Sequence, residues 1–408
     1  DAAGAGQRHE PHAVGQQQRP HGGDLTFAPN QRRERGRKGW HTGSIHGTHV
    51  TVSVWAVNHP PVKSIPLNRA ADAIIDGPAP ERTGDVARRG DIPLAIHTIE
   101  PTRENLHGHF SRDLPPFLTI DPGDSVRYRL LDAGWGLEAP HADGSPRAHF
   151  EPRDHELDDG HALCGPVAVR GAEPGMTLVV EIGTLRPGAY GWTVAGAWDT
   201  PLNPRLGLGA DAPGTLLRWD LDADCLTGRD QHGREVPLRP FLGVIGMPPD
   251  EPGRHPTSPP RPTGGNIDCK ELVAGSALYL PIAVPGALVS VGDGHALQAD
   301  GEVSGVAIEC PMDLAELTFS LRDDLSITTP RAETPAGWLT FGFDESLDEA
   351  MLIALDAMLD LIGEQHGLPR GEALALASLL VDLRITQVVN GVRGVHAVLP
   401  HGALTESR

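Results

Sequence analysis

Short apolar segments, broken at brief intervals by Pro-Gly and Gly-Asp, predict a mainly β protein with an α+β C-terminal part: a jelly-roll-like β-sandwich plus a smaller α+β region. Three observations carry this. From Leu94 onward, strand-length runs such as Ser125-Val-Arg-Tyr-Arg-Leu130 alternate apolar and polar side chains, the pattern of an extended chain with one face on a core. Glycine (49) and proline (38) are abundant, as many turns between short strands require, yet below the level of a wholly disordered chain. Near the C-terminus, Leu347, Met351, Leu355, Met358, Leu359 and Ile362 recur at helical spacing behind Ser346 and Glu349, a capping pair, and stop before Gly367 and Pro369.

Taken in order, residues 1–92 read as an unrelated, largely disordered extension. It is Gly-, Gln-, His- and Arg-rich, with a basic run Arg32–Lys38 best read as a solvated tail, and holds one β-like piece, His49–Val57. Residues 93–264 read as an N-terminal β-sandwich part and 265–408 as a C-terminal part. In the first, Phe117–Ile120, the turn Asp121-Pro-Gly-Asp124 and Ser125–Leu130 make the clearest hairpin. His161–Arg170, Gly171-Ala-Glu-Pro-Gly175 and Leu178–Ile182 repeat the strand, turn, strand pattern. Residues 183–240 are turn-rich and yield no clear elements, and Met247–Gly264 is a proline-rich loop long enough to be functional or mobile. In the second part, Val284–Val291, Val303–Glu309 and Ala315–Leu321 read as strands. Helices over residues 347–362 and 370–381 follow, their methionines and leucines assigned to the core. A hairpin, Arg384–Val389 and Val395–Leu399 about Asn390-Gly391, closes the chain.

The charge balance, 34 Lys+Arg against 54 Asp+Glu for a net −20, argues against nucleic acid or an anionic membrane as partner. Aromatics at 4% also disfavour base stacking. Cys164, Cys225, Cys269 and Cys310 are far apart and form no Cys-x-x-Cys pair, so reduced thiols in a cytoplasmic protein are expected. No apolar run is long enough to span a membrane.

One stretch, Gly286–Glu302, concentrates chemistry: Asp293, His295, Asp300 and Glu302 follow an apolar strand, and Gly292 and Gly294 allow a sharp turn that would set Asp293 and His295 at its exposed end. Each pair is spaced by two, so in extended backbone each points to one side. Carboxylates beside an imidazole suit a divalent cation, zinc most readily. The bland alternative is a Gly-rich hairpin whose acids face water. Asn266 and Asp268 are also two apart, as are His107 and His109, for which the residues alone favour ordinary polar contacts over a shared metal.

With these motifs in place, Leu94 to Leu399 resembles the acetamidase/formamidase family, which hydrolyses short aliphatic amides to carboxylate and ammonia. The resemblance rests on Thr98–Gly108, Leu118–Asp124, His161–Pro166 with Gly171–Gly175, Gly265-Asn-Ile-Asp268, Gly286–Glu302 and Arg384–Gly391. Two positions depart from the family pattern: Ala299 stands where a glycine precedes the Asp-Gly-Glu triplet, and Met176 where an aspartate follows the Pro-Gly turn. Ala299 would be awkward if its backbone needs a positive φ. The resemblance implies a divalent metal, zinc or in some members calcium, with His107, Asp268, Asp293 and His295 as its ligands and Glu302 as the acid/base group. A small amide is the implied substrate, and a homo-oligomer the implied assembly.

On that reading a metal would lower the pKa of water and polarise the carbonyl, Glu302 would pass the proton to the departing nitrogen, Asp300 would brace the site or add a ligand, and Asn266 would donate to the oxyanion. A cysteine nucleophile from Cys269, Lys270 and Glu271 is disfavoured, because neighbours along an extended chain face opposite ways. Outside enzymes, a calcium-bearing jelly roll that binds a ligand, or an impaired paralogue, fits the same composition. The pairing of His295 with Glu302 separates the two, since binding-module calcium prefers all-oxygen ligands.

Overall fold

The structure is a computed structural model and describes residues 94–198, 200 and 202–405. The expectations for residues 1–92, including the basic run and the His49–Val57 piece, lie outside the described residues. The chain is mainly β, with two helices near the C-terminus.

Two large sheets enclose the core. A nine-stranded sheet runs in the order Ile96–Ile99, Ser125–Leu130, Met312–Arg322, Thr177–Pro187, Ala277–Pro281, Arg331–Thr334, Gly337–Asp344, Val392–Leu399 and Asp382–Asn390. A six-stranded sheet runs Gly264–Asn266, Phe241–Gly246, Val289–His295, Leu163–Val169 and Leu106–His107, with Leu118–Ile120 also paired to Leu163–Val169. Both take strands from each side of residue 264. Val126, Tyr128, Val180, Leu317 and Phe319 of the first sheet and Cys164, Val167, Leu242, Val289 and Val291 of the second belong to one apolar cluster. Full burial of each aliphatic or aromatic side chain there contributes roughly 1.5–3 kcal/mol before conformational entropy is charged against it.

The two Pro-Gly segments act differently from expectation. Leu118–Ile120 and Ser125–Leu130 do not pair with each other; the first joins the six-stranded sheet in parallel and the second the nine-stranded sheet. Asp121-Pro-Gly-Asp124 is thus a corner between sheets, fixed by Asp124, whose carboxylate accepts from the Ala95 and Asp121 amides. Gly171–Gly175 repeats the arrangement between Leu163–Val169 and Thr177–Pro187. Alternation and turn residues report that a strand ends, and both a hairpin and a corner satisfy them.

Residues 183–240, opaque in the sequence, hold a four-stranded sheet ordered Glu235–Pro237, Thr227–Asp230, Thr215–Asp222 and Tyr190–Ala195. Val303–Glu309, expected as a strand, is a turn ending in isolated bridges from Glu309 to Trp192 and His295. Helix α1 (Leu347–His366) starts at Ser346, which caps Glu349, and ends at left-handed Gly367. It lies close on the Gly337–Asp344 strand because Gly342 has no side chain: a Cβ there would meet the Ala350 carbonyl at 1.9 Å. Helix α2 (Arg370–Leu380) follows. Ala350, Ala354, Met358 and Ile362 fill the core beneath, whereas Leu352, Leu374 and Leu379 (79% exposed) face outward, so not every leucine here is a core residue. Among the described residues no helix is long and apolar enough to cross a membrane.

Candidate active site

The Val289–His295 strand starts five residues later than the expected Val284, and all seven of its residues are buried. Asp293 and His295 therefore sit inside the six-stranded sheet, not at an exposed strand end. Gly292 and Gly294 are strand residues that let neighbours come close, since a Cβ on them would meet the Ala162 and Cys310 carbonyls at 2.5 and 2.7 Å. Across the pairing to Phe241–Gly246, Gly243 lies opposite Asp293. A Cβ on Gly243 would stand 2.2 Å from Asp293 Oδ2 and 2.8 Å from both Asp268 Oδ1 and His295 Cε1. The missing side chain at Gly243 is thus the floor on which three functional groups meet.

Asn266, at the end of the edge strand Gly264–Asn266, leads directly to Asp268. Asp268 Oδ2 accepts from Asn390 Nδ2 at 2.9 Å, and its carbonyl accepts from Gln298 Nε2 at 2.8 Å. Glu302 arrives from the turn after Gly301. Glu309 arrives from the bridge to Trp192, with Oε1 accepting from the Ala307 amide at 2.8 Å. His295 Nε2 lies 3.3 Å from both Asp293 Oδ1 and Glu309 Oε1, and Phe241 packs edge-on to its ring. Two overlapping triads able to hold a cation result, Asp268/Asp293/His295 and His295/Glu302/Glu309, sharing the imidazole.

Three of these acids, Asp268 (φ 55°), Asp293 (φ 59°) and Glu302 (φ 46°), adopt the left-handed backbone that side chains other than glycine rarely take. Each such residue costs on the order of 1–3 kcal/mol, held by the surrounding sheet. Ala299 is not among the left-handed residues, and Gly301 is, so the departure at 299 carries no backbone strain.

Burial sets the electrostatics. It pushes Glu302 up to about 8 and Glu309 to about 7, with His295 opposing it at both, Asp293 adding to it at both and Glu309 adding to it at Glu302. Asp268 is held well above the usual carboxylate range by burial and by Glu302. Burial acts the same way on Asp293, but His295 and His161 outweigh it and keep this carboxyl well below its ordinary value. Burial disfavours the His295 cation, yet Asp293 and Glu309 hold the ring protonated. Asn266 Oδ1, Asp268 Oδ1, His295 Nδ1, Glu302 Oε2 and Glu309 Oε2 are all buried with no hydrogen-bond partner.

Of the residues expected at the site, the fold brings together Asn266, Asp268, Asp293, His295 and Glu302. It leaves out His107 and Asp300. His107 hydrogen-bonds the His109 carbonyl through Nδ1 (2.7 Å) and Ser290 Oγ through Nε2 (3.0 Å), and belongs to neither triad. Asp300 points away to Lys270 Nζ at 2.7 Å, because residues 300–302 form a turn in which period two does not apply. Asn266 gives one N–H of Nδ2 to the Ser258 carbonyl at 3.0 Å, and its Oδ1 is an acceptor without a partner. Cys269 is buried with its thiol on Glu271 Oε2 at 3.4 Å, while Lys270 turns to Asp300, so that trio is split. Two residues of the cluster, Glu309 and Asn390, lie outside the sequence-based expectation: an acid inside the apolar run Val306–Cys310 is the available signal for Glu309, and Asn390 reads as turn chemistry.

A cavity of about 290 Å³ opens on these groups, lined by Asn266, Asp293, Glu302, Glu309 and Asn390 on one hand and by Trp135, Arg153, His161 and Trp192 on the other. Both indoles are tied down, Trp135 Nε1 to the Gly160 carbonyl (2.8 Å) and Trp192 Nε1 to Asp132 Oδ2 (3.2 Å). The His161 ring is anchored through Nδ1 on Thr257 Oγ1 at 2.7 Å.

The family model described as Acetamidase/Formamidase matches residues 96–253 and 250–391, which takes in every group of the site. The chain belongs to the acetamidase/formamidase family. Among individual members, it is similar to a putative formamidase of Schizosaccharomyces pombe (28% identity over 54% of this chain and 64% of that one). It is equally similar to a formamidase of Methylophilus methylotrophus (28%, 49% and 60%) and an acetamidase of Mycolicibacterium smegmatis (28%, 48% and 61%). It thus spans a little under two thirds of the length of these curated relatives. Among solved structures, an acetamidase from Bacillus halodurans superposes with a TM-score of 0.63 at 26% identity, over 74% of this chain and 97% of that one. A predicted acetamidase/formamidase from Thermoanaerobacter tengcongensis shares the fold, with a TM-score of 0.65 at 24% identity over 75% and 96%.

Proposed function

We propose that this acetamidase/formamidase-family chain hydrolyses short-chain amides to carboxylate and ammonia at the Asp293/His295 cluster, with a divalent cation held there. One observation carries the reading: Asn266, Asp268, His295, Glu302 and Glu309 each hold a buried polar atom without a partner; the last four belong to the two overlapping triads, and Asn266, Glu302 and Glu309 line one small cavity. Such atoms are costly unless a ligand meets them. Carboxylate oxygens with one imidazole nitrogen make a donor set that suits zinc and tolerates calcium less well, so the residues fit a metal. Asp268, Asp293, His295 and Glu309 would hold it. When bound, such a cation lowers the pKa of water and polarises a carbonyl.

The chain's own groups supply the rest. An amide is a weak electrophile with a poor leaving group, so a proton must be taken from water and delivered to nitrogen. Glu302 has a free buried oxygen and is the group assigned to both transfers. Asn266 Oδ1, fixed by Ser258, suits an N–H of the substrate amide rather than its oxyanion. Asn390 orients Asp268 from outside the cluster, as partners of metal-binding carboxylates commonly do. We assign the cytoplasm as its compartment on its four unpaired cysteines, and a homo-oligomer as its assembly on the family resemblance alone.

The test is ammonia release from formamide, acetamide and propionamide before and after chelation, with metal content measured on the same sample. Loss on chelation and recovery with zinc are expected. Glu302→Gln should keep the fold and the metal while turnover falls by about 10²–10⁴; near-unchanged kcat would remove Glu302 from the mechanism.

A further inference from the structure

The lining of the cavity narrows the substrate class. About 290 Å³ is room for roughly ten waters at about 30 Å³ each, far more than formamide, with its three non-hydrogen atoms, would fill. Among the described lining residues Arg153 is the single lysine or arginine, in a cavity otherwise rich in carboxylates. Its guanidinium lies over the Trp135 ring at 5.3 Å, and Nη2 rests on His155 Nδ1 at 2.9 Å. No carboxylate among the described residues pairs with it, although exposed Asp159 also lines the cavity. Its Nε is buried and has no acceptor. A cation held on an indole shelf, with one fork hydrogen unmet, is a receptor for a planar anion.

Resting on the amide-hydrolysis reading, we propose that the preferred substrate is an amide whose acyl chain ends in a carboxylate, the half-amide of a short dicarboxylic acid. Arg153 receives the carboxylate, and the amide reaches Asn266 and Glu302. The carbon–nitrogen bond breaks, water oxygen bonds to the acyl carbon, both water protons leave on the nitrogen as ammonium, and a dicarboxylate is released. Arg153, the single lysine or arginine among the described lining residues, draws the carboxylate to the Trp135 indole and so sets which end of the substrate faces Asn266 and Glu302.

The experiment is steady-state ammonia release by the full chain from succinamate, from neutral succinamide and from formamide, with Arg153→Gln and Arg153→Lys alongside. The wild type should favour succinamate over succinamide by at least tenfold in kcat/KM, chiefly through KM. Arg153→Gln should erase that ratio, and Arg153→Lys, which keeps charge but not the fork, should retain part of it. Equal turnover of succinamide and succinamate by the wild type would overturn the proposal and leave amide hydrolysis standing. If no amide releases ammonia, the hydrolysis reading falls. Calorimetric titration with succinate and succinamide then decides the anion site: succinate-selective binding lost in Arg153→Gln supports it, and absence of that selectivity overturns it.

Discussion

Replacing Gly243 by alanine tests the geometry of the site with a single methyl group. Its backbone is not left-handed, so alanine brings no conformational penalty and the effect is steric. The new Cβ would lie 2.2 Å from Asp293 Oδ2, which must retreat by about 1.2 Å to regain ordinary contact at 3.4 Å. Asp268 Oδ1 and His295 Cε1, both at 2.8 Å, must give by about half as much. All three residues are buried, so overpacking of about 1–3 kcal/mol is expected. A displacement near 1 Å in a reacting constellation costs about 10² in rate. Thermal melting, zinc content and ammonia release of Gly243→Ala, measured side by side, check this. The expected result is a folded protein melting a few degrees lower, with turnover down about 10²-fold and weakened zinc retention. Wild-type zinc binding and turnover in Gly243→Ala would refute the placement of Asp293, Asp268 and His295 around this floor.

Further outcomes follow from the same structure. Asn390→Ala removes the donor to Asp268 and should lower metal affinity or activity by about 10–100-fold with the fold intact, as judged by circular dichroism and zinc titration. In chelator-treated protein Glu302 (about 8) and Glu309 (about 7) hold protons that the unfolded chain has already released above its ordinary carboxylate range. Their raised values, and the raised His295 and Asp268, therefore make stability fall as pH rises from about 5 to 8. Zinc should flatten that slope and be taken up with proton release; thermal melts across this range with and without zinc give the sign. Asp132 is fully buried and holds Arg147 (2.5 and 3.1 Å), the Gly136 amide and the Trp192 indole. Asp132→Ala should cost about 3–5 kcal/mol in urea unfolding, and Arg147→Met in the same chain should recover part of it.

The mainly β character, the two helices and the closing hairpin about Asn390-Gly391 were legible in the sequence, because period, caps and turn residues are local signals. The pairing of strands was not. Asp121-Pro-Gly-Asp124 carries every mark of a hairpin, and only the packing of two sheets makes it a corner. At the site, Asp293, His295 and Glu302 stood out by their proximity along the chain. His107 and Asp300 stood out for the same reason, yet the first is satisfied by Ser290 and the second by Lys270. Period two failed for Asp300 and Glu302 because left-handed Gly301 and Glu302 turn the chain between them. Gly243 carried no signal at all, since its role exists only once the neighbouring strand is in register.

The left-handed acids bear on how such a chain changes under selection. At Asp268, Asp293 and Glu302 the backbone suits glycine, while the side chain serves the cluster. Glycine at Asp268 or Glu302 would relieve local strain and remove a buried acid from a crowded cluster, whereas Asp293 is the counter-ion of His295. A screen that rewards heat resistance alone should therefore enrich substitutions at Asp268 and Glu302 first, and each one gained would be a step away from turnover. Thermostable variants of this chain are best sought elsewhere, with ammonia release scored in every round.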